Sequence, residues 1–438
     1  MSANSPNQSP IEDPQPWHEA KLRFCFAGQV TAVVICIGWL AWFFPYDDWV
    51  DRSGTPLGGD YVMLYVAGQV VADGESELLY DDARNQLRTS ELFPEMDSQE
   101  SWPYRYPPTV AAAMTPLAQL PLAWSYALFF LIQLGLLSIS LWLLVRDHAV
   151  LRQRAGWLWA IAGSPLILES LIGGQSSLLA LACTVGFLHF LQRGQDPLAG
   201  AVLALLLYKP NVAALLIIAA LIVRPKLLIG FLPTAAVGLG VAWFACGWSS
   251  IARYIQLATE LASGQWGLET PYWKVHGLAP LLQQLLPLHG KLVCALLGLV
   301  ASVFIGCLWR QRKLNNLQAV AVLLSTNALF NPYVPIYDLV LLELALVLAC
   351  QVAYHSPIWR PTLTMFYCAG GVLFVGPHLS QALARPLGWQ FFPLLLSAML
   401  VWVGLSYRQQ QQRSHRDKRV DDMGGLFTLG PSRGRVGP

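Results

Sequence analysis

The stretch "YALFFLIQLGLLSISLWLLV", residues 126–145, runs for 20 residues without a charge. At about 1.5 Å per residue a helix of that length reaches roughly 30 Å, the thickness of a bilayer's hydrocarbon core. A helix bonds its backbone groups within the segment, which is what lipid demands of a spanning element. Working outward, residues 24–44, 227–248, 291–309 and 389–407 read in the same way, each with few or no charges. Shorter apolar runs fall at 157–172, 177–191, 198–208, 212–223, 317–330, 339–354 and 362–375. Of the 438 residues 55% are hydrophobic and 12% charged, far too apolar for one water-soluble domain of ordinary composition. The expected fold class is an all-α integral membrane protein, polytopic, with about twelve transmembrane helices.

Residues 1–20 are polar and Pro/Ser-rich, and no small-residue cleavage site follows the first apolar run. That run therefore reads as a retained span rather than a signal peptide. The 8 cysteines lie in or beside apolar runs with no CxxC pair, so neither a disulfide framework nor a zinc site is expected.

Basic residues cluster between alternate spans: Lys21 and Arg23; Arg146, Arg152 and Arg154; Arg193; Arg224 and Lys226; Arg310, Arg312 and Lys313; Arg360; then the run 408–419. The positive-inside rule makes these cytoplasmic, with both termini inside. The expected organisation is a cytoplasmic segment 1–23, a membrane domain 24–407 and a cytoplasmic tail 408–438. Two long loops, 45–121 and 249–290, then face outward and carry interfacial helices, and the first of them is rich in carboxylates. Two points stay open: 108–121 reads as a surface-lying or re-entrant helix or as a short span, and 198–223 as two short helices or one kinked at proline.

Polar residues at the ends of spans are where function concentrates in a membrane protein. In "LGGDYVMLYVAGQVVADGESELLYD", 57–81, Asp60 follows two glycines and precedes an apolar helical pattern. It reads either as an N-cap or as a general base in a partly apolar pocket. In "YRYPPTVAAAMTPLAQLP", 104–121, Arg105 and Tyr106 stand where a phosphate or sugar is met, or anchor the interface. The "GGQSS" turn of 173–177 carries Gln175, with Glu169 one turn before it. In "LLLYKPNVAALL", 205–216, Lys209 sits between apolar runs and must reach an interface, a partner or an anion. In "NALFNPYVPIYDLVLLELAL", 327–346, Asn331, Tyr333, Tyr337 and Asp338 bracket two prolines, and Glu343 is a buried carboxylate in need of a partner. His276, on an aromatic loop, reads as structural or as a sugar contact.

The order of "GGDYVMLYVAGQVVADGESELLYD", "YRYPPTVAAAMTPLAQLP", "GGQSSLLAL", "AGAVLALLLYKP" and "NPYVPIYD" resembles bacterial glycosyltransferase family 87. The resemblance extends over about 24–407 and implies a GT-C type helical bundle with mannosyltransferase-like activity. It implies a hexose of mannose type or a pentose moved, with inversion, from a polyprenyl-phosphate carrier to an envelope glycolipid or glycan on the outer face of a bacterial inner membrane. It implies Asp60 as catalytic base. Gly74 and the "LYD" of 79–81 match the end of the same motif in a structural role. Lys209, Arg105, Tyr106, Gln175, Tyr337, Asp338 and His276 are the candidates for donor phosphate or substrate. Many members carry a Trp and one or two His where this chain has Tyr333, Tyr337 and Asp338, so a histidine-assisted mechanism is not expected. Membrane lipids and the lipid-linked sugar are the expected partners, with no nucleic acid, no metal and no cofactor beyond the donor. A transporter or flippase of lipid-linked sugars, which internal repeats would mark, and a non-catalytic relative are the rival readings.

Overall fold

The computed structural model describes residues 58–94, 103–148, 161–263, 271–354 and 359–401, with Ile37, Pro56, Leu151 and Arg152 besides. The described residues are helical and contain no strand of an extended sheet. In chain order the helices are α1 (Tyr61–Ala72), α2 (Asp82–Leu92), α3 (Pro108–Ala118), α4 (Leu122–Asp147) and α5 (Pro165–Ile172). Then come α6 (Ser177–Gln192), α7 (Asp196–Leu205), α8 (Pro210–Val223), α9 (Leu228–Ser263) and α10 (Ala279–Leu285). The chain continues with α11 (Gly290–Arg310), α12 (Asn316–Phe330), α13 (Val340–Tyr354), α14 (Trp359–Leu387) and α15 (Phe392–Val401).

Four segments are long and apolar enough to cross a membrane: Leu122–Asp147, Pro225–Glu260, Gly290–Arg310 and Ile336–Ala353. The first three leave most of their apolar surface uncovered: Trp142, Phe244, Val300 and Phe304 stand exposed along α4, α9 and α11. In water such a surface would be a liability, and against lipid it is the expected outer face. The protein is therefore a helical membrane protein. Ile336–Ala353 differs, with 72% of its apolar window buried, and forms the centre of the bundle between α12 and α14.

The expected count of about twelve spans is not reached by length among the described residues. The runs expected at 177–191, 198–208, 212–223 and 317–330 are short helices. The 14 residues of α8 extend about 21 Å, less than the roughly 30 Å of a hydrocarbon core. The run expected at 157–172 is interrupted, because Ser164 caps a new helix at Pro165 and its hydroxyl accepts from the Leu166 amide. The expected span 24–44 lies, but for Ile37, outside the described residues.

Both open points of topology have a local answer. Helix α3 has 11 residues, too few to span. It packs instead along α1, where a Cβ on Gly68 would stand 2.8 Å from Ala118 Cβ and 2.9 Å from the Met114 backbone. The run 198–223 is two helices: α7 tightens into a 3-10 turn at Leu206–Tyr208, Lys209 is extended with φ −143° and ψ 73°, and Pro210 starts α8. Proline is well placed there, since a first helical residue needs no amide proton. Helix α9 likewise breaks at Gly247, which has φ 76°, so a second helical stretch runs on into the loop expected at 249–290.

Candidate functional site

The site is built where two glycine turns meet. Gly58 and Gly59 have φ of +86° and +47°, and Gly174 has φ +64°, angles that glycine adopts without penalty. A Cβ on Gly174 would stand 2.0 Å from Gly58 O and 2.5 Å from Tyr61 Cβ. No other residue allows this approach. The Asp60 amide donates to Gly173 O at 3.2 Å, and Tyr126 Oη donates to Ile172 O at 3.0 Å. The turn after α5 thus clamps the start of α1, and brings Gln175 beside Asp60.

Asp60 occupies the N-cap position of α1, but its side chain makes no cap hydrogen bond and its backbone is already helical at φ −65° and ψ −12°. The capping reading is thereby corrected. The half-buried carboxylate faces the cluster instead, where Tyr337 Oη donates toward it at 3.4 Å. Burial raises its pKa above the ordinary aspartate value, and the Gln175 amide, the Lys209 and Lys274 charges and the Tyr337 hydroxyl oppose that rise. A carboxylate held this way is the stronger proton acceptor.

Lys209 lies at the break between α7 and α8 and is 6% exposed. Its Nζ donates to Asp338 Oδ1 at 2.6 Å and stands 4.8 Å from the Tyr337 ring centre and 5.8 Å from that of Tyr106. Asparagines of the "NALFNP" stretch hold the backbone that presents it: Asn327 Nδ2 donates to Val212 O at 2.7 Å, and Asn331 Nδ2 to Asn211 O. Gln175 is buried, its carbonyl accepts from Gln133 Nε2 at 2.6 Å, and its own Oε1 has no partner among the described residues.

Six of the eight candidates read from the sequence, Asp60, Tyr106, Gln175, Lys209, Tyr337 and Asp338, therefore come together. The structure does not bring the other two into the cluster. Arg105 turns away to form a two-pronged pair with Asp82, at 2.7 and 2.6 Å. His276 is fully buried, edge-on to Phe392, with its amide donating to Val334 O and its Nε2 3.3 Å from Pro377 O. Burial pushes its imidazole down to about 4, so it is neutral and docks the 271–278 loop onto the 329–334 turn. Asp338 stands in the cluster as the ion-pair partner of Lys209.

Sequence reasoning missed the serines of "GGQSS". Ser177 Oγ donates to Asp338 Oδ1 at 2.6 Å, and Ser176, in the N-cap position of α6, leaves the cap unmade and donates to Tyr106 Oη at 3.3 Å. Their type and place read as helix caps, and only the three-dimensional arrangement assigns them to the cluster. Glu343, left in search of a partner, receives one from the Ser164 hydroxyl.

The cluster unites a half-buried carboxylate, a buried ammonium and the rings of Tyr106 and Tyr337, a setting able to take a proton and hold a leaving anion. No curated protein and no solved structure matches the chain. The model of glycosyltransferase family 87 matches residues 104–332, a segment that includes Tyr106, Gln175 and Lys209 and ends before Tyr337. With that match over just over half its length, the chain belongs to glycosyltransferase family 87.

Proposed function

We propose that this glycosyltransferase moves a hexose of mannose type, or a pentose, from a polyprenyl-phosphate sugar to a glycolipid or glycan acceptor. The proposed setting is the outer face of a bacterial inner membrane, within a GT-C type bundle. The observation that carries the reading is that Tyr337 links Asp60 and Lys209, which lie 149 positions apart by their numbers: its hydroxyl donates toward Asp60 at 3.4 Å and its ring centre stands 4.8 Å from Lys209 Nζ. Asp60 takes the proton of the acceptor hydroxyl as its oxygen bonds to the anomeric carbon. The bond from that carbon to the phosphate oxygen breaks, and the electron pair leaves with the polyprenyl phosphate. Lys209 steadies the developing charge there. Attack opposite the departing phosphate inverts the anomeric configuration.

The test is transfer by purified protein given a polyprenyl-phosphate hexose and candidate acceptors. Asp60→Asn keeps the side chain's size and removes its basicity, and should lower transfer by about 10²–10⁴-fold, with thermal melting unchanged or improved. Full activity in that variant overturns the assignment.

A further inference from the structure

Lys209 has three ammonium donors, and one is committed to a group of its own chain. Asp338 Oδ1 receives both Lys209 Nζ and Ser177 Oγ, each at 2.6 Å, while Asp338 Oδ2 is buried with no partner among the described residues. Both charged residues are nearly sealed, 6% and 7% exposed. A sealed cation with no counter-ion attracts any entering anion strongly, because binding relieves its own desolvation. The donor in the proposed reaction is a phosphodiester with about one negative charge, and the product is a monoester with about two near neutral pH. A bare Lys209 would therefore hold the product more tightly than the donor.

We propose that Asp338 is the internal counter-ion of Lys209, a positioning residue that caps the affinity of the site for phosphate and so lets the product leave, and that Ser177 tunes it. The Ser177 hydroxyl shares the negative charge on Oδ1, and without it Asp338 draws more strongly on the ammonium. This role rests on the donor chemistry proposed above. It assigns to Ser177 and Asp338 opposite effects on the same equilibrium. A side chain that merely supports the fold would weaken binding in either case.

The experiment is equilibrium binding of farnesyl phosphate to the full chain in phosphatidylcholine nanodiscs, with farnesol as the uncharged control. The wild type should prefer the phosphate. Asp338→Asn should tighten Kd for farnesyl phosphate by about tenfold or more, Ser177→Ala should weaken it by about threefold, and Lys209→Met should remove the preference over farnesol. Unchanged or weaker binding by Asp338→Asn, in protein that melts cooperatively, overturns the counter-ion role alone. Should that variant not fold, Ser177→Ala decides, measured against the farnesol control: a weaker Kd for farnesyl phosphate with farnesol binding unchanged is expected, and an unchanged or tighter Kd, or an equal loss for both ligands, overturns it. A wild type with no preference for farnesyl phosphate over farnesol overturns the donor chemistry together with this inference.

Discussion

Asp60 stands where a helix cap belongs and does not serve as one, which leaves both carboxylate oxygens available to the cluster. Its pKa is raised first by burial and held down by Gln175, Lys209, Lys274 and Tyr337. A base works only when ionised, so activity falls as pH drops through this value, and a raised value moves that fall upward. The acid limb of kcat/KM against pH should therefore lie above the ordinary aspartate range. Gln175→Ala removes an interaction that favours the ionised form, and should move the limb further up by a fraction of a unit to about one unit. A limb that moves down, or stays at an ordinary aspartate pKa in both proteins, would separate Asp60 from the rate. Asp60, Lys209 and Tyr337 were legible in the sequence because a charge or a phenol beside an apolar run is costly and must be explained. Arg105 and His276 were equally conspicuous, yet Asp82 neutralises the first and burial silences the second. Neither partner is visible in local spacing.

At the scale of elements, the decisive contact is between the glycine turn before α1 and the one before α6. Gly58 and Gly174 are 116 positions apart by their numbers, and no periodicity links them, so the "GGQSS" stretch reads locally as a tight connection, and Gln175 stands out through the family resemblance. The structure gives the turn a steric reason. Gly174→Ala would place a methyl group 2.0 Å from Gly58 O at φ +64°. It should destabilise the protein by about 2 kcal/mol or more and depress transfer beyond the loss of folded protein, since Asp60 and Gln175 would separate. Gly74→Ala is the control: its φ is +74°, but a Cβ there meets nothing within 4 Å. Backbone strain of about 1 kcal/mol is the expected cost, with specific activity retained. Thermal melts and specific activities of the two variants, taken together, distinguish collision from strain. An interruption near Lys209 was legible for a different reason, because Pro210 lacks the amide proton that an unbroken helix would use, although the sequence leaves both a kink and a full break open.

The whole molecule divides its helices by exposure. Helix α11 presents Val300 at its midpoint, 67% exposed, and α9 presents Phe244, 93% exposed. On the insertion scale an arginine at the centre of a span costs about 3 kcal/mol, whereas on a water-facing surface it costs almost nothing. Val300→Arg should therefore lower the yield of membrane-integrated protein severalfold, measured by carbonate extraction, and an unaffected yield would place that face of α11 away from lipid. Composition and charge-free length made the membrane class legible. They did not make the number of full-length spans legible, because apolar runs such as 177–191 and 212–223 cover the bundle core as short helices and hydropathy scores a buried helix and a lipid-facing one alike. The segment Ile336–Ala353 is the most enclosed of the long ones, and it enters the bundle through the 3-10 turn Ile336–Leu339. Successive side chains on such a turn diverge by about 120°. Tyr337 accordingly reaches Asp60 while its neighbour Asp338 reaches Lys209. Two neighbouring residues of one short turn thus tie α1 to the break between α7 and α8, so a shift of that turn would move Asp60 and Lys209 relative to each other.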